Sequence, residues 1–243
     1  MTRLGRLLIG ALTMIAPPAA AQDVVMALDP TLMTGWSGVA AAGEYAKRDF
    51  GTRLSRSSAR RSALAATPAA TAARLAYQPD AAVRNRVYGR TIAQIEKSSP
   101  KDAAQVRQLL MSGAMRRDVA RHMARYGMSP NNLADTTGLY LATAWMASRG
   151  SNADPTPAQM KGLRAQVAGV MAGMPAMAGA SNATKAEIAE ANIVQAAFAS
   201  AAGGHAARDA SFAPTVRSAV VRGVKGSYQM DLSRLNLTNS GLR

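Results

Sequence analysis

The sequence predicts an all-α protein: a single helical domain of about six or seven helices after a disordered N-terminal segment. Three observations predict it. Helix start and stop signals recur from Tyr77 onward, the apolar residues between them fall at three- and four-residue spacing, and no stretch alternates apolar with polar as a strand would. Composition agrees, because 14 Met and only 5% aromatics favour closely packed helices over a sandwich of sheets.

The opening MTRLGRLLIGALTMIAPPAAAQ reads as a signal peptide over residues 1–21. Arg3 and Arg6 form a basic start, Leu7 to Ala16 an apolar middle too short to span a bilayer, and Ala19-Ala20-Ala21 a cleavage site before Gln22. The expected location is therefore the periplasm of a Gram-negative cell, or the exterior, with no transmembrane anchor. No Cys is present, so no lipid anchor, disulfide, thiol nucleophile or thiolate metal site is available.

Residues 22–76 read as a low-complexity, mostly disordered linker. SRSSARRSALAATPAATAARLA (55–76) cannot bury enough apolar surface to offset the entropy of ordering it. Before it, Trp36, Tyr45 and Phe50 offer a short anchor for docking onto the main domain or onto a partner.

The helical domain is expected over 77–243. Asp80 precedes Val83, Val87, Ile92 and Ile95, which repeat at helical spacing. Ser99-Pro100-Lys101-Asp102 gives a capping hydroxyl, a Pro at the first helical position and an acid at the third. Ser112-Gly113 breaks that helix from the next, which Gly127 ends in a left-handed residue. Ser129 and Pro130 repeat the start signal for an apolar helix that closes at Gly150. Thr156 and Gln159 fit a capping box, and Met160, Leu163, Val167, Val170, Met171 and Met174 follow on one face until Pro175. A further helix is expected from about Thr184 to Ala202, stopped by Gly203-Gly204, with one or two short helices over about 212–235.

Four segments resemble a family of secreted proteins from Gram-negative bacteria with no assigned function. They are YQPDAAVRNRV (77–87), RYGMSPNNLADTTGLYLATAW (125–145), PTPAQMKGLRAQV (155–167) and LNLTNSGLR (235–243). Tyr126-Gly127-Met128, Asn132, Asp135, Tyr140 and Trp145 fit the family's turn, its Asn-x-x-Asp and its later aromatics, while Leu141 stands where that pattern often has Trp. The resemblance implies a helical secreted domain and supplies no activity.

The candidate sites follow from chemistry. Asp135, inside the apolar helix, must face water or meet a donor such as Arg84 or Arg164. With Tyr140 it could serve an envelope enzyme, whereas a packed ion pair there would mark a core helix. Tyr140 and Trp145 read as packing anchors with polar tips. Met171, Met174 and Met177 form a soft sulfur set suited to Cu(I), although Met at these spacings more commonly fills a helical core. His122 and His205 make no metal spacing, Glu187 and Glu190 read as a solvated face, and no cofactor is expected.

Net charge is +15, and Arg117, Arg121 and Arg125 repeat every fourth residue along one stripe. No aromatics interleave with these arginines, which argues against nucleic acid. The function these features favour is an exported binding domain of the cell envelope, more a binder than an enzyme, whose partner is an envelope protein or an anionic envelope polymer.

Overall fold

The structure, a computed structural model, describes residues 50–57, 73–151 and 153–243. In chain order the helices are α1 (Phe50–Ser57), α2 (Ala81–Ser98), α3 (Pro100–Met111), α4 (Ala114–Ala124), α5 (Leu133–Arg149), α6 (Pro157–Ala172), the single turn α7 (Pro175–Ala178), α8 (Asn182–Arg208) and α9 (Ala213–Tyr228). A hairpin of β1 (Leu237–Thr238) and β2 (Gly241–Leu242) closes the chain. The fold is mostly helical, as expected. The signal peptide, Trp36, Tyr45 and residues 58–72 of the expected linker lie outside the described residues.

Most of the punctuation works as read. Asp80 accepts from the amides of Ala82 and Val83, at 2.8 and 3.1 Å, and starts α2. Gly127 takes the left-handed backbone expected of it, and Gly113 and Gly150, expected to break and end helices, are left-handed too. Thr156 and Gln159 complete the capping box of α6.

Three signals act differently. Ser99 does not cap α3; its hydroxyl donates to the Asp102 carboxylate at 2.6 Å, a charge-assisted bond stronger than one to a backbone amide. Helix α5 starts at Leu133, capped by Asn132, whereas Ser129 and Pro130 belong to the preceding turn. There the Ser129 hydroxyl accepts from the Asn131 amide, so it is unavailable to a helix. Gly203-Gly204 does not end α8, which runs on to Arg208. A Cβ at Gly203 would lie 3.2 Å from Ala147 Cα, so glycine here admits the backbone of α5.

That contact is part of the most extensive helix packing in the fold, α5 against α8. Fourteen of the 17 residues of α5 are buried, so this helix is enclosed rather than one-sided. On one side of α8 lies the main core with α5, α6 and α9. On its other side Ala191, Ile193, Val194 and Phe198 meet α2 and α3 in a second cluster built around Val87, Ile92, Val106 and Leu110.

Residues 50–57 fall within the segment expected as linker and dock as α1, with Phe50, one of the aromatics offered as an anchor, set against the main domain. Phe50 and Leu54, one turn apart, are fully buried, and the Phe50 ring lies 5.0 Å from that of Tyr228. Gln166 of α6 fastens both α1 and the C-terminal hairpin. Its Nε2 donates to the Leu54 and Leu242 carbonyls at 3.1 and 2.9 Å, and its Oε1 accepts from the Leu242 amide at 2.8 Å. The hairpin itself was not expected, because two-residue strands are too short to show alternation.

Glycines 162 and 169 on α6 separate close packing from helix propensity. A Cβ at Gly162 would sit 2.2 Å from the Asn239 carbonyl oxygen, whereas one at Gly169 meets nothing within 4 Å. Gly162→Ala is expected to lose about 1–3 kcal/mol by forcing the C-terminal turn away. Gly169→Ala is expected to gain up to about 1 kcal/mol. Denaturant midpoints of the two variants should move in opposite directions.

Candidate functional site

Positions 84, 85 and 88 of α2 face the turn that separates α3 from α4. The left-handed Gly113 redirects the chain there, setting Met111 and the first turn of α4 over the same space. The result is a pocket of about 320 Å³ whose charged wall is Arg84, Arg116 and Arg117, with Asn85 beside them and Tyr88 and Met111 as apolar surface. Gly113 is the N-cap of α4, and the first turn of that helix borders the pocket, with its Ala114 amide donating to the Ser112 hydroxyl at 3.2 Å.

Arg116 is fixed from behind. Its Nε donates to both oxygens of Glu190 on α8, at 3.0 and 3.3 Å, and its Nη2 to Asn131 Oδ1 at 2.9 Å. Glu190, expected on a solvated face with Glu187, is instead 1% exposed. Glu187 keeps the surface position and pairs with Arg90. Burial raises the Glu190 carboxyl above its ordinary value, and the charges of Arg116 and then Arg84 partly offset this. Burial also opposes the charge on Arg116, but Glu190 overrides it and holds the guanidinium above its ordinary value. One carboxylate against three guanidiniums leaves the pocket a surplus of two positive charges.

Tyr88 lines the same space. Its hydroxyl is buried without a hydrogen-bond partner among the described residues, and its pKa is pushed up by burial and by the Glu190 charge.

The basic stripe of α4 divides along its length. Arg117 lines the pocket, its Nη1 making only a 3.3 Å bond to the Ser112 carbonyl. Arg121 pairs with Asp118, and Arg125 meets the His122 ring and, at 3.4 Å, Asp154.

Asp135 and Tyr140 occupy different sides of α5. Asp135 is buried, its Oδ1 taking Arg164 Nε at 2.5 Å and its Oδ2 the Ser129 amide at 2.8 Å. Arg164 also donates to the Gly127 carbonyl, so the pair locks the turn before α5 onto α6. Burial raises the Asp135 carboxyl, against the Ser129 amide and Arg164. Tyr140 packs towards α9, its ring 6.1 Å from that of Tyr228. Trp145 donates from Nε1 to the Leu235 carbonyl at 2.8 Å, under the Arg149 guanidinium.

Met171, Met174 and Met177 are buried in the main core. Among the described residues no group of three or more His, Asp or Glu could hold a metal ion. His122 and His205 stand edge-on to Tyr126 and Phe212.

Glu190 was the residue that sequence reasoning missed. The signal was an acid among Ile188, Ile193 and Val194, in a helix with apolar residues on every side.

The chain belongs to a family of unknown function, DUF6683, which matches residues 3–243. This span is wider than the resemblance over 77–243 and takes in the N-terminal segment as well. No curated protein and no solved structure matches the chain.

Glu190→Ala leaves the Arg116 guanidinium without its carboxylate and is expected to lose about 3–5 kcal/mol in denaturant unfolding. A pH series checks the sign of the burial effect. The folded carboxyls of Asp135 and Glu190 lie above their ordinary 3.8 and 4.5, so the folded chain binds protons more readily than the unfolded one. Their contribution favours the fold most below the ordinary values and declines as pH rises through the raised ones. Glu190→Gln should remove its share of that decline when unfolding free energy is measured across the carboxylate range.

Proposed function

We propose that this member of a family without an assigned activity is an exported binding module of the cell envelope, engaging an anionic envelope polymer through the corner of α2 and α4. The observation that carries the reading is the pocket's two surplus positive charges, set at one spot on a strongly basic chain. Fixed guanidiniums bind phosphate and carboxylate oxygens in a fork, and a chain of high positive charge is drawn to polyanions from a distance. Export rests on the basic, apolar and A-x-A pattern of residues 1–21, and secretion from a Gram-negative cell agrees with the resemblance seen in the sequence. No helix among the described residues is long and apolar enough to cross a membrane.

The enzyme reading, built on Asp135 with Tyr140, gains no support from their placement. One is locked in an ion pair against α6, and the other is packed towards α9. Burial of the three methionines in the core likewise favours their packing role over the copper one.

The logarithm of the retention of the whole chain on immobilised polyphosphate should fall linearly with the logarithm of salt concentration. The double variant Arg84→Ala/Arg117→Ala should flatten that slope by roughly 1.4–1.8, while Arg222→Ala on α9 leaves it unchanged. Equal slopes for all three proteins would overturn the assignment of the contact to this corner. The export step is checked by mass spectrometry of the chain recovered from cells, which should begin at Gln22.

A further inference from the structure

We infer that the pocket between α2 and α4 is a receptor for a phosphomonoester, the dianionic end group of a sugar-sized molecule, rather than for phosphodiester or carboxylate groups. The inference rests on the reading of this corner as an anion-binding face, and it names the chemistry that the corner selects.

Charge is the first argument. Glu190 offsets one of the three guanidiniums and leaves two. A phosphomonoester carries close to two negative charges at neutral pH, whereas a phosphodiester or a carboxylate carries one. A monoanion would leave one guanidinium of the pocket uncompensated, and a dianion leaves none.

Geometry is the second. The Arg116 guanidinium is held in place by Glu190 and Asn131, so its orientation is set before any ligand arrives. Arg117 Nη1 makes only a long bond to a backbone carbonyl, which an anion in the pocket would replace by a charge-assisted one. Arg84 approaches from α2, and the first turn of α4, whose Ala114 amide donates to the Ser112 hydroxyl at 3.2 Å, borders the pocket as well. A terminal phosphoryl group has three free oxygens for these donors, whereas a diester offers two.

Size and surface are the third. A pocket of about 320 Å³ exceeds what a bare phosphate fills. Its remaining wall includes Asn85, Leu110, Ser112 and Ala120, a buried Tyr88, and the side chain of Met111, which is 56% exposed. Such a wall fits the carbon body to which the phosphoryl group is attached.

The experiment is a titration of the whole isotope-labelled chain at neutral pH and moderate salt, followed by amide NMR. The probes are glucose 1-phosphate, methyl phosphate and dimethyl phosphate. Glucose 1-phosphate and methyl phosphate are expected to bind at least about tenfold more tightly than dimethyl phosphate, since the second charge acts at short range on the pocket's surplus cations. The amides of Gly113 to Arg117 should shift. Arg84→Ala and Arg117→Ala should each remove the binding, Arg117→Lys should weaken it by loss of the fork, and Arg222→Ala should leave it intact.

Vesicles of phosphatidate and of phosphatidylglycerol separate the possible sources. Preference for phosphatidate assigns a membrane headgroup, and glucose 1-phosphate binding without a vesicle preference assigns a soluble sugar phosphate. Equal affinity for methyl and dimethyl phosphate overturns the inference, as does binding that survives both alanine substitutions. If salt-dependent retention on polyphosphate persists in that case, the polymer reading stands and only this inference falls. Loss of polyphosphate retention with glucose 1-phosphate binding intact removes the polymer and leaves the receptor.

Discussion

Helix α8 is buried on both sides, and the rest of the structure depends on how closely α5 can approach one of them. The approach is set by small residues, with Gly203 of α8 opposite Ala147 of α5. Polar groups buried in this seam are stabilised by pairing with one another. Asn192 Nδ2 donates to the Thr137 hydroxyl at 2.9 Å, and the Tyr228 hydroxyl donates to Asn192 Oδ1 at 2.7 Å. This short chain of bonds ties α9 to the same seam. Satisfied polar contacts of this kind fix one register between helices that uniform apolar surfaces would leave free to slide.

The enclosed helices also carry one buried acid each, and the two acids have different consequences. Asp135 on α5 is answered by Arg164 and the Ser129 amide, and the arrangement ends there, locking a turn to a helix. Glu190 on α8 is answered by Arg116, which borders a pocket with two further arginines. Burial works against the charge on both acids, so neither ion pair need add much to stability. What both provide is placement of an arginine, and only in the second case does that arginine border a cavity.

Much of this architecture was legible in the sequence because its helices are punctuated by local rules. Asp80, Gly113, Gly127, Gly150 and the Thr156–Gln159 box act through bonds or backbone angles within a few residues of themselves. Where a tertiary contact decides, the local rule fails. Gly203-Gly204 reads as a helix stop, but Gly203 is there for the backbone of α5. Phe50 could be read as a docking anchor, but where it docks, with Leu54 one turn on, shows only when Tyr228 is placed against it. The candidate site divides in the same way. The partnership of Asp135 with Arg164 could be named because a buried acid requires a donor, and Arg164 was one of two on offer. The pocket could not be, since it joins position 84 to positions 116 and 190 from three helices.

The pocket also explains why Glu190 occupies a place where an apolar residue would pack at lower cost. Removing its carboxylate would raise the local charge by one and strengthen the general pull on anions. It would also release Arg116, whose guanidinium is otherwise held by Glu190 and Asn131. A freely rotating arginine attracts any anion and loses conformational entropy each time it engages one, whereas a fixed one favours the ligand that matches its geometry. In the proposed receptor, Glu190 therefore exchanges attraction for selectivity. It lowers the charge of the pocket to two, and it converts one of three flexible cations into part of the wall.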